Sequence, residues 1–472
     1  MARQVDREGE EADGDEVGRE EGEAHVGLRW GSGVLLGTGT MKPAASVPTL
    51  CRGCAGGTDR PDPPPASGVV SVPPSTVPGM RILHTSDWHL GRSLHGVDLL
   101  DHQAAYADHL VELVRAERPA AVVVAGDVYD RAIPPVEAVA LLSATLARLA
   151  EHTVVVLTSG NHDSATRLGF GGALMREQVR LRTTVAALAE PVVLPGDAED
   201  VLVYGLPYLD PDATRAALAD EGAEPLARSH AAVTGAAMRR VAADVARRRA
   251  AAPGRRLRVV VAGHAFVVGG QASESERDIR VGGVDHVPAG VFAGADYVAL
   301  GHLHGPQRLS GVEGTVVQYS GSPLAFSFSE QHHRKSTVLV DLDAAGGVRT
   351  ELVAAPVPRR LVDVRGSLEE LLGAAGEPHV DAWTRVTVTD AHRPPDLYAR
   401  VRARFPHALV VHHRPPEAVG AGARSALVTA ARDPWEVSAE FVAHVTGRDA
   451  TPAELAVLRR ATEDVLAAER SA

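Results

Sequence analysis

From Met80 onwards, short valine-rich runs alternate with longer stretches whose apolar residues recur at helical spacing. RILHTSD, AAVVVAGDVYD, TVVVLTSGNHD, VLVYGLP, LRVVVAGH, YVALGH, TVVQYSGSP and STVLVDLD read as strands. They are β-branched, too short for buried helices, and bounded by glycine, proline or small polar residues. Between them the pattern predicts helices over 100–117, 135–150 and 227–250. Strands that are apolar on both faces must be covered on both faces, so the pattern predicts an α/β protein of layered sheets flanked by helices.

Breaks in this pattern predict the domain boundaries. Residues 1–79 have no sustained period, open on an acidic run and end in a proline-rich stretch; they hold 7 Lys/Arg against 12 Asp/Glu and one of 21 histidines. Such a segment buries too little apolar surface to offset its chain entropy, so a disordered leader is expected. Its acidic start and lack of an apolar centre separate it from a secretory signal. A start codon read too far upstream would produce such a leader, and residues 1–79 are expected to be dispensable. The layered domain is expected over 80–355. Over 356–417, the runs LVDVRGS, SLEELLG, WTRVTVTD, DLYARVRARF and ALVVHHRPP predict a small βαβαβ unit of the α+β type. A Gly/Ala linker over 418–432 contains AVGAGARSA, and 433–472 predicts two short helices. Trp435, Phe441, Val442 and Val445 fall broadly on one side of the first helix. Thr451-Pro452-Ala453-Glu454 reads as a capping box with proline at the first helical position. Leu455, Leu458, Ala461 and Val465 recur along the second helix. Two short helices behind a linker form little core of their own, so this C-terminal helical tail is expected to dock on something.

Composition narrows the class only a little. The chain has 472 residues, 45% hydrophobic and 23% charged, with a formal charge of −12. No apolar stretch reaches the roughly 20 residues of a membrane span. The negative balance argues against wholesale coating of nucleic acid or anionic membrane, while leaving room for a local basic groove. Both cysteines, Cys51 and Cys54, fall in the leader, where a lone CxxC is half of a zinc ribbon. The body therefore has no disulfide framework and no thiol nucleophile, which fits a reducing cytoplasm.

The candidate chemistry sits where strands end. Asp87 and His89 follow the first strand in HTSDWH, Asp127 follows the second in GDVYD, and Asn161 and His162 follow the third in GNHD. His264 follows VVVAG, and His302 and His304 follow YVAL in VALGHLHG. Ligands of α/β sheets bind beyond the carboxyl ends of the strands. Each residue alone has an ordinary explanation: an aspartate as helix cap, a histidine as core residue, GNHD as an Asx turn. Five strand ends in one chain, each offering a nitrogen or oxygen donor, point to one shared site. In extended backbone His302 and His304 would project to one side, with Cα atoms about 7 Å apart, able to serve neighbouring ions.

Two Asp, one Asn and four His, with no thiolate, suit manganese, iron or zinc better than magnesium or calcium alone. An open site of this kind keeps waters and favours catalysis over a structural role. Two metals with four ligands each need one shared donor, and Asp127 is central in strand order. Two ions about 3.5–4 Å apart clamp the attacking and leaving oxygens of a phosphoryl centre, which predicts metal-assisted phosphoester hydrolysis.

The set DxH, GD, GNHD, GH and GHxH resembles the calcineurin-like metallophosphoesterase superfamily. MRILHTSDWHLGRSLHG, VVVAGDVYDRAIPP, LTSGNHDSATRL, SERDIRVGG, YVALGHLHGPQ and YSGSPLAFSFSE narrow the likeness to the nuclease-subunit family of bacterial SbcCD exonucleases, over essentially residues 80–345. The resemblance implies one metal on Asp87, His89, Asp127 and His304 and another on Asp127, Asn161, His264 and His302, manganese being usual and magnesium, iron or zinc alternatives. It implies that His162 is the catalytic histidine, a non-ligand that stabilises or protonates the leaving oxygen, with Asp163 orienting it. Relatives from archaea and eukaryotes carry a second helping histidine where this chain has Asp130, so Asp130 is given no catalytic role. The 360–416 unit resembles a capping domain over the nuclease cleft; Arg385, Arg393, Arg400, Arg402 and Arg404 are candidate phosphate contacts or simply a solvated face. Residues 433–472 resemble the segment that docks on an SbcC-like coiled-coil ATPase, packing back on the nuclease body being the alternative. The family implies a homodimer of nuclease subunits in a heterotetramer acting on DNA, in the cytoplasm at the nucleoid. The implied activity is 3′→5′ exonuclease on duplex ends and endonuclease on hairpins or single strands, in DNA repair, recombination and replication. A small-molecule phosphodiesterase, for a cyclic nucleotide for example, and a non-cutting DNA-end scaffold are the alternatives.

Overall fold

The computed structural model describes residues 79–175, 177–197, 199–277, 286–416 and 434–470. The leader up to residue 78, both cysteines and the linker lie outside the described residues. Two six-stranded sheets form the body. In the first, Met80–Thr85, Ala121–Ala125, Val154–Thr158 and Val179–Arg182 run parallel, with Ser336–Leu342 antiparallel beside Met80–Thr85 and Val348–Ala354 antiparallel beside Ser336–Leu342 at the edge. In the second, Val316–Tyr319, Tyr297–Gly301, Arg256–His264 and Glu199–Gly205 run parallel between the antiparallel edge strands Gln307–Leu309 and Val192–Leu194.

Alternation of side chains along each strand explains why the apolar runs are unbroken. Val122 and Val124 face helices Leu100–Glu117 and Val136–Ala150, in a cluster with Leu110, Val114, Leu142 and Leu149. Ala121 and Val123 face the other way and meet Val260, Ala262, Tyr297 and Ala299 of the second sheet. The outer face of that sheet, through Val259, Val261, Val298 and Leu300, packs on Val233, Ala237 and Val241 of helix His230–Ala251. The body is thus a four-layer sandwich, helices outside and two sheets inside. Full burial of one such valine side chain stabilises the fold by about 1.5–3 kcal/mol, so the stacked runs carry much of the stability.

The small unit is the βαβαβ arrangement its pattern predicts: Leu361–Gly366, Trp383–Val388 and Ala408–His413 form a parallel sheet with helices Leu368–Leu372 and Leu397–Arg404 between them. It sits on the body through an apolar cluster in which Leu361 and Trp383 meet Leu94, Leu99, Leu324, Phe326 and Phe328. Two of its five candidate arginines are committed to carboxylates, Arg385 to Asp363 and Arg404 to Glu377. That leaves less free positive charge on this unit than the composition suggests.

The tail forms helices Pro434–Thr446 and Pro452–Arg470. Thr451 and Glu454 form the capping box, Arg448 pairs with Glu454, and the Arg459 guanidinium lies 4.5 Å over the Trp435 ring. Among the described residues, no helix is long and apolar enough to cross a membrane.

Candidate metal centre

The carboxyl ends of five parallel strands from both sheets converge. The two sheets approach closely where Gly301 meets Ala125: a Cβ on Gly301 would stand 2.0 Å from the Ala125 carbonyl oxygen. Only glycine lets the second sheet come near enough for His264 to reach across, and its Nδ1 donates to that same carbonyl at 3.0 Å. Gly160 plays the matching part on the third strand, since a Cβ there would fall 2.1 Å from Asp127 Oδ1.

The local backbone is unusual at the donors themselves. Asp87, His89, Asp127 and His302 all have positive φ, at 54°, 45°, 49° and 104°. Non-glycine residues seldom adopt this region, and such strain persists only where surrounding contacts impose it. Here the contacts are visible. Asp87 N donates to Gly126 O at 3.1 Å and His89 N to Asp127 O at 3.0 Å, lacing the first two strand ends together. His162 N donates to Asp127 Oδ1 and His302 N to Asp87 Oδ1, both at 2.9 Å.

All seven candidate donors come together around Asp127, in overlapping clusters that also take in His162 through His89 and Asp127. Asp87, His89 and His304 have donor atoms within 4.8 Å of one another, as do Asp87, Asp127 and His264. His89 Nε2 and His304 Nε2 face each other at 3.1 Å. On the other side, His264 Nε2 is 2.9 Å from Asn161 Oδ1 and 3.4 Å from Asp127 Oδ2, with His302 Nδ1 3.3 Å from the same amide oxygen. His302 does not continue the strand as extended backbone; the chain turns at it.

The donor set calls for cations. With His264 Nδ1 donating to Ala125 O, its Nε2 faces Asn161 Oδ1 and Asp127 Oδ2, an arrangement satisfied by a cation between them or by a proton on Nε2. Asn161 Nδ2 and His89 Nδ1 are buried without a hydrogen-bond partner among the described residues. Burial would push His264 down, yet Asp127 and Asp87 outweigh it and hold it up at about 9. Burial raises Asp87 to about 6. These residues, all but Asn161 almost fully removed from solvent, fit a dinuclear metal site of mixed imidazole and carboxylate ligation.

The family profile for Calcineurin-like phosphoesterase matches residues 80–306. That for the Type 5 capsule protein repressor C-terminal domain, SbcD_C, matches residues 357–446. The SbcD subunit of nuclease SbcCD from Bacillus subtilis (strain 168) is 37% identical over 267 residues, which cover 56% of this chain. The chain belongs to the SbcD family of calcineurin-like phosphoesterases. The aligned region spans 66% of the Bacillus subtilis protein, just under two thirds of its length. Two crystal structures also align with this SbcD family member. TT1561 of Thermus thermophilus has a TM-score of 0.34 at 16% identity, covering 58% of this chain and 99% of that chain. A dimetal phosphatase from Danio rerio has a TM-score of 0.32 at 13% identity, covering 59% and 100%. At scores this low the SbcD fold assignment rests on the profiles and the strand order.

Several residues of the SbcD site were not singled out by sequence spacing. The His162 ring is held by the Asp130 carbonyl oxygen, which accepts from Nδ1 at 2.7 Å. Asp163 acts further back than expected and does not bond that ring: its carboxylate accepts from the backbone N–H groups of Val128, Tyr129 and Gly160, pinning the second and third loops to each other. Burial, with Asp127 nearby, raises Asp163 to about 7. His304 is held from behind by Ser275, whose Oγ lies 2.7 Å from Nδ1 and donates in turn to Glu330. Glu276 accepts from His304 N at 2.8 Å, and buried Lys335 pairs with Glu330 and donates to His304 O at 3.0 Å. Burial alone would raise the Glu330 carboxyl, but Lys335 and His304 more than offset this and hold it below the usual carboxylate range. Such partners fix a ligating imidazole's tautomer and direction. Phe326 lies edge-on to His89 and His304, at 5.1 and 5.4 Å, and also belongs to the cluster that seats the small domain.

Proposed function

We propose that this protein is the nuclease subunit of an SbcCD-type complex, hydrolysing DNA phosphodiester bonds at two divalent ions, most favourably Mn2+. The observation that carries the reading is the convergence of six further nitrogen and oxygen donors around Asp127, in a chain whose second domain matches the SbcD_C profile. Asp87, His89, Asp127 and His304 would hold one ion, and Asp127, Asn161, His264 and His302 the other. When bound, the pair supplies a polarised phosphoryl group and an activated water. The chain's own residues do the rest. Asp127 holds both groups together and anchors the His162 backbone. His162, with Nδ1 committed to Asp130 O, turns Nε2 toward the centre, 3.9 Å from Asp127 Oδ2, where it can give a proton to the leaving oxygen. The small domain, residues 356–417, caps the cleft.

The reading extends to 3′→5′ exonuclease activity on duplex ends and endonuclease activity on hairpins or single strands. ATP regulation would come through a coiled-coil ATPase of the SbcC kind, in a heterotetramer with two nuclease subunits, at the nucleoid. The deciding assay offers the purified protein hairpin DNA and bis-p-nitrophenyl phosphate with Mn2+, with and without the ATPase. Hairpin cleavage is expected; brisk ester turnover with intact DNA would refute the nuclease reading in favour of a small phosphodiesterase.

The tail supports the partner. Phe441, Val445, Val457 and Val465 are 66%, 63%, 67% and 58% exposed, large apolar side chains that the two tail helices leave to water. Phe441→Glu with Val445→Glu is expected to abolish co-elution with the ATPase in size-exclusion chromatography while leaving ester hydrolysis at the wild-type rate. Undiminished co-elution would move the docking surface elsewhere.

A further inference from the structure

Arg277 stands beside the catalytic loop with little to do there. It ends the stretch Ser273–Arg277, whose Ser275 and Glu276 are spent on His304, and it turns the opposite way, toward Asn161 and His162. Its Nη1 donates to Asn161 O at 3.3 Å, and Nη2 lies 3.4 Å from His162 Nδ1. That imidazole nitrogen already donates to Asp130 O, so it has no lone pair to accept a second proton. The second contact is proximity, and most of the five guanidinium N–H donors have no partner among the described residues. The residue is exposed, and among the described residues no carboxylate pairs with it. Arg92, the other guanidinium nearby, is different. It donates to Ser275 O at 3.1 Å, lies 4.8 Å over the Phe326 ring, and is 3.6 Å from Asp130 Oδ1. Among the described residues, Arg92 thus has three protein contacts, although its Nη1 is buried without a hydrogen-bond partner, whereas Arg277 is exposed and donates to Asn161 O alone.

Its position along the imidazole fixes what it would touch. His162 Nε2 faces Asp127 and the metal-binding groups; Nδ1 faces away from them, toward Asp130 and Arg277. Arg277 therefore lies one imidazole's width further from the centre than the scissile phosphate would. A planar fork of donors at such a place matches the oxygens of a second phosphate. We propose that Arg277 anchors the phosphate next to the scissile one on a polynucleotide strand, so that the site selects substrates with at least two consecutive phosphodiesters. This rests on the nuclease reading above and names the substrate feature which that reading requires.

The test compares wild type, Arg277→Ala and Arg277→Lys with Mn2+ on TpT, on TpTpT and on hairpin DNA, with bis-p-nitrophenyl phosphate as control. Wild type is expected to favour TpTpT over TpT by about tenfold in kcat/KM, the size of one charge-assisted hydrogen bond. Arg277→Ala should erase that preference mainly through KM, and make the salt dependence of the hairpin KM shallower by about one unit of log–log slope. Arg277→Lys should retain the salt slope and part of the preference. Equal losses on TpT and TpTpT would overturn the proposal by placing Arg277 on the scissile phosphate or on His162 alone. An undiminished TpTpT preference in Arg277→Ala would overturn it too. If wild type turns over the ester but leaves every DNA substrate intact, the nuclease reading fails and the anchor with it. If wild type and Arg277→Ala cut the hairpin alike with the same salt slope, only the anchor fails.

Discussion

His162→Gln is expected to lower hairpin cleavage by about 10²–10⁴-fold, the usual contribution of a positioned general acid, while two metal ions per chain stay bound. The geometry makes this a sharp test. The link between His162 and Asp127 Oδ1 runs through the peptide N–H, which any residue at 162 retains. Asp127 should therefore keep its place, and only the imidazole proton is removed. The competing outcome is equally concrete, because His89, Asp127 and His162 also have donor atoms within 4.8 Å of one another. If His162 were a ligand, the variant would lose an ion. Metal content by elemental analysis, beside the single-turnover cleavage rate, separates the two. Full cleavage with both metals present would remove His162 from the chemistry.

Asp127→Asn is expected to abolish cleavage for a different reason, through loss of metal. Its carboxylate lies between His89 and His264, Oδ2 being 3.6 Å from His89 Nε2 and 3.4 Å from His264 Nε2. Neutralising it takes from both ions the one charged donor they would share. An amide can still accept from His162 N, so the loop should hold, while loss of the pairing with His264 should make the metal-free variant melt somewhat below metal-free wild type. The substitution removes the carboxylate that, against burial, helps hold His264 up at about 9. Burial would raise that carboxylate too, but His264 keeps it well below the ordinary value, and breaking a buried pair is costly. Wild type should gain stability when Mn2+ is added, about 2.7 kcal/mol at a hundredfold excess over Kd, and Asp127→Asn should gain much less. Thermal melts with and without Mn2+ measure this directly. An equal gain in both proteins would show that Asp127 is not the shared ligand.

What could be read ahead of the structure had a local signature. The eight inner strands and main helices of the body followed from runs such as AVVVA, because burial on both faces forces nearly every position to be apolar, whereas the strands Val179–Arg182, Val192–Leu194, Gln307–Leu309 and Val348–Ala354 at the sheet edges lack such runs. The βαβαβ unit near 360 was legible for the same reason, its cluster of Val364, Val386, Val388 and Val401 being set by strand alternation and helical spacing. Each metal-type donor was legible because it lies within a few residues of the strand that aims it. The residues behind them were not. Ser275 and Glu330 reach His304 from 29 and 26 positions away, and Asp163 grips backbone N–H groups that carry no sequence identity. Polar residues of this kind look like any solvated loop until the chain is folded around them.

The sequence by itself determined the layers, the two-domain order and the inventory of donors at the strand ends. These depend on periodicity and on neighbours along the chain, which a linear pattern records. Only the tertiary structure decided that these donors lie together around Asp127, with positive φ at His302 turning the chain where extended backbone was expected. It also decided that the Asp130 carbonyl oxygen, and not Asp163, holds the His162 ring. These outcomes depend on how two separate sheets approach at Gly301 and Ala125, and on which backbone carbonyls then become available. A periodic pattern fixes which face of a strand is buried, but contains no term for the distance between one sheet and the next.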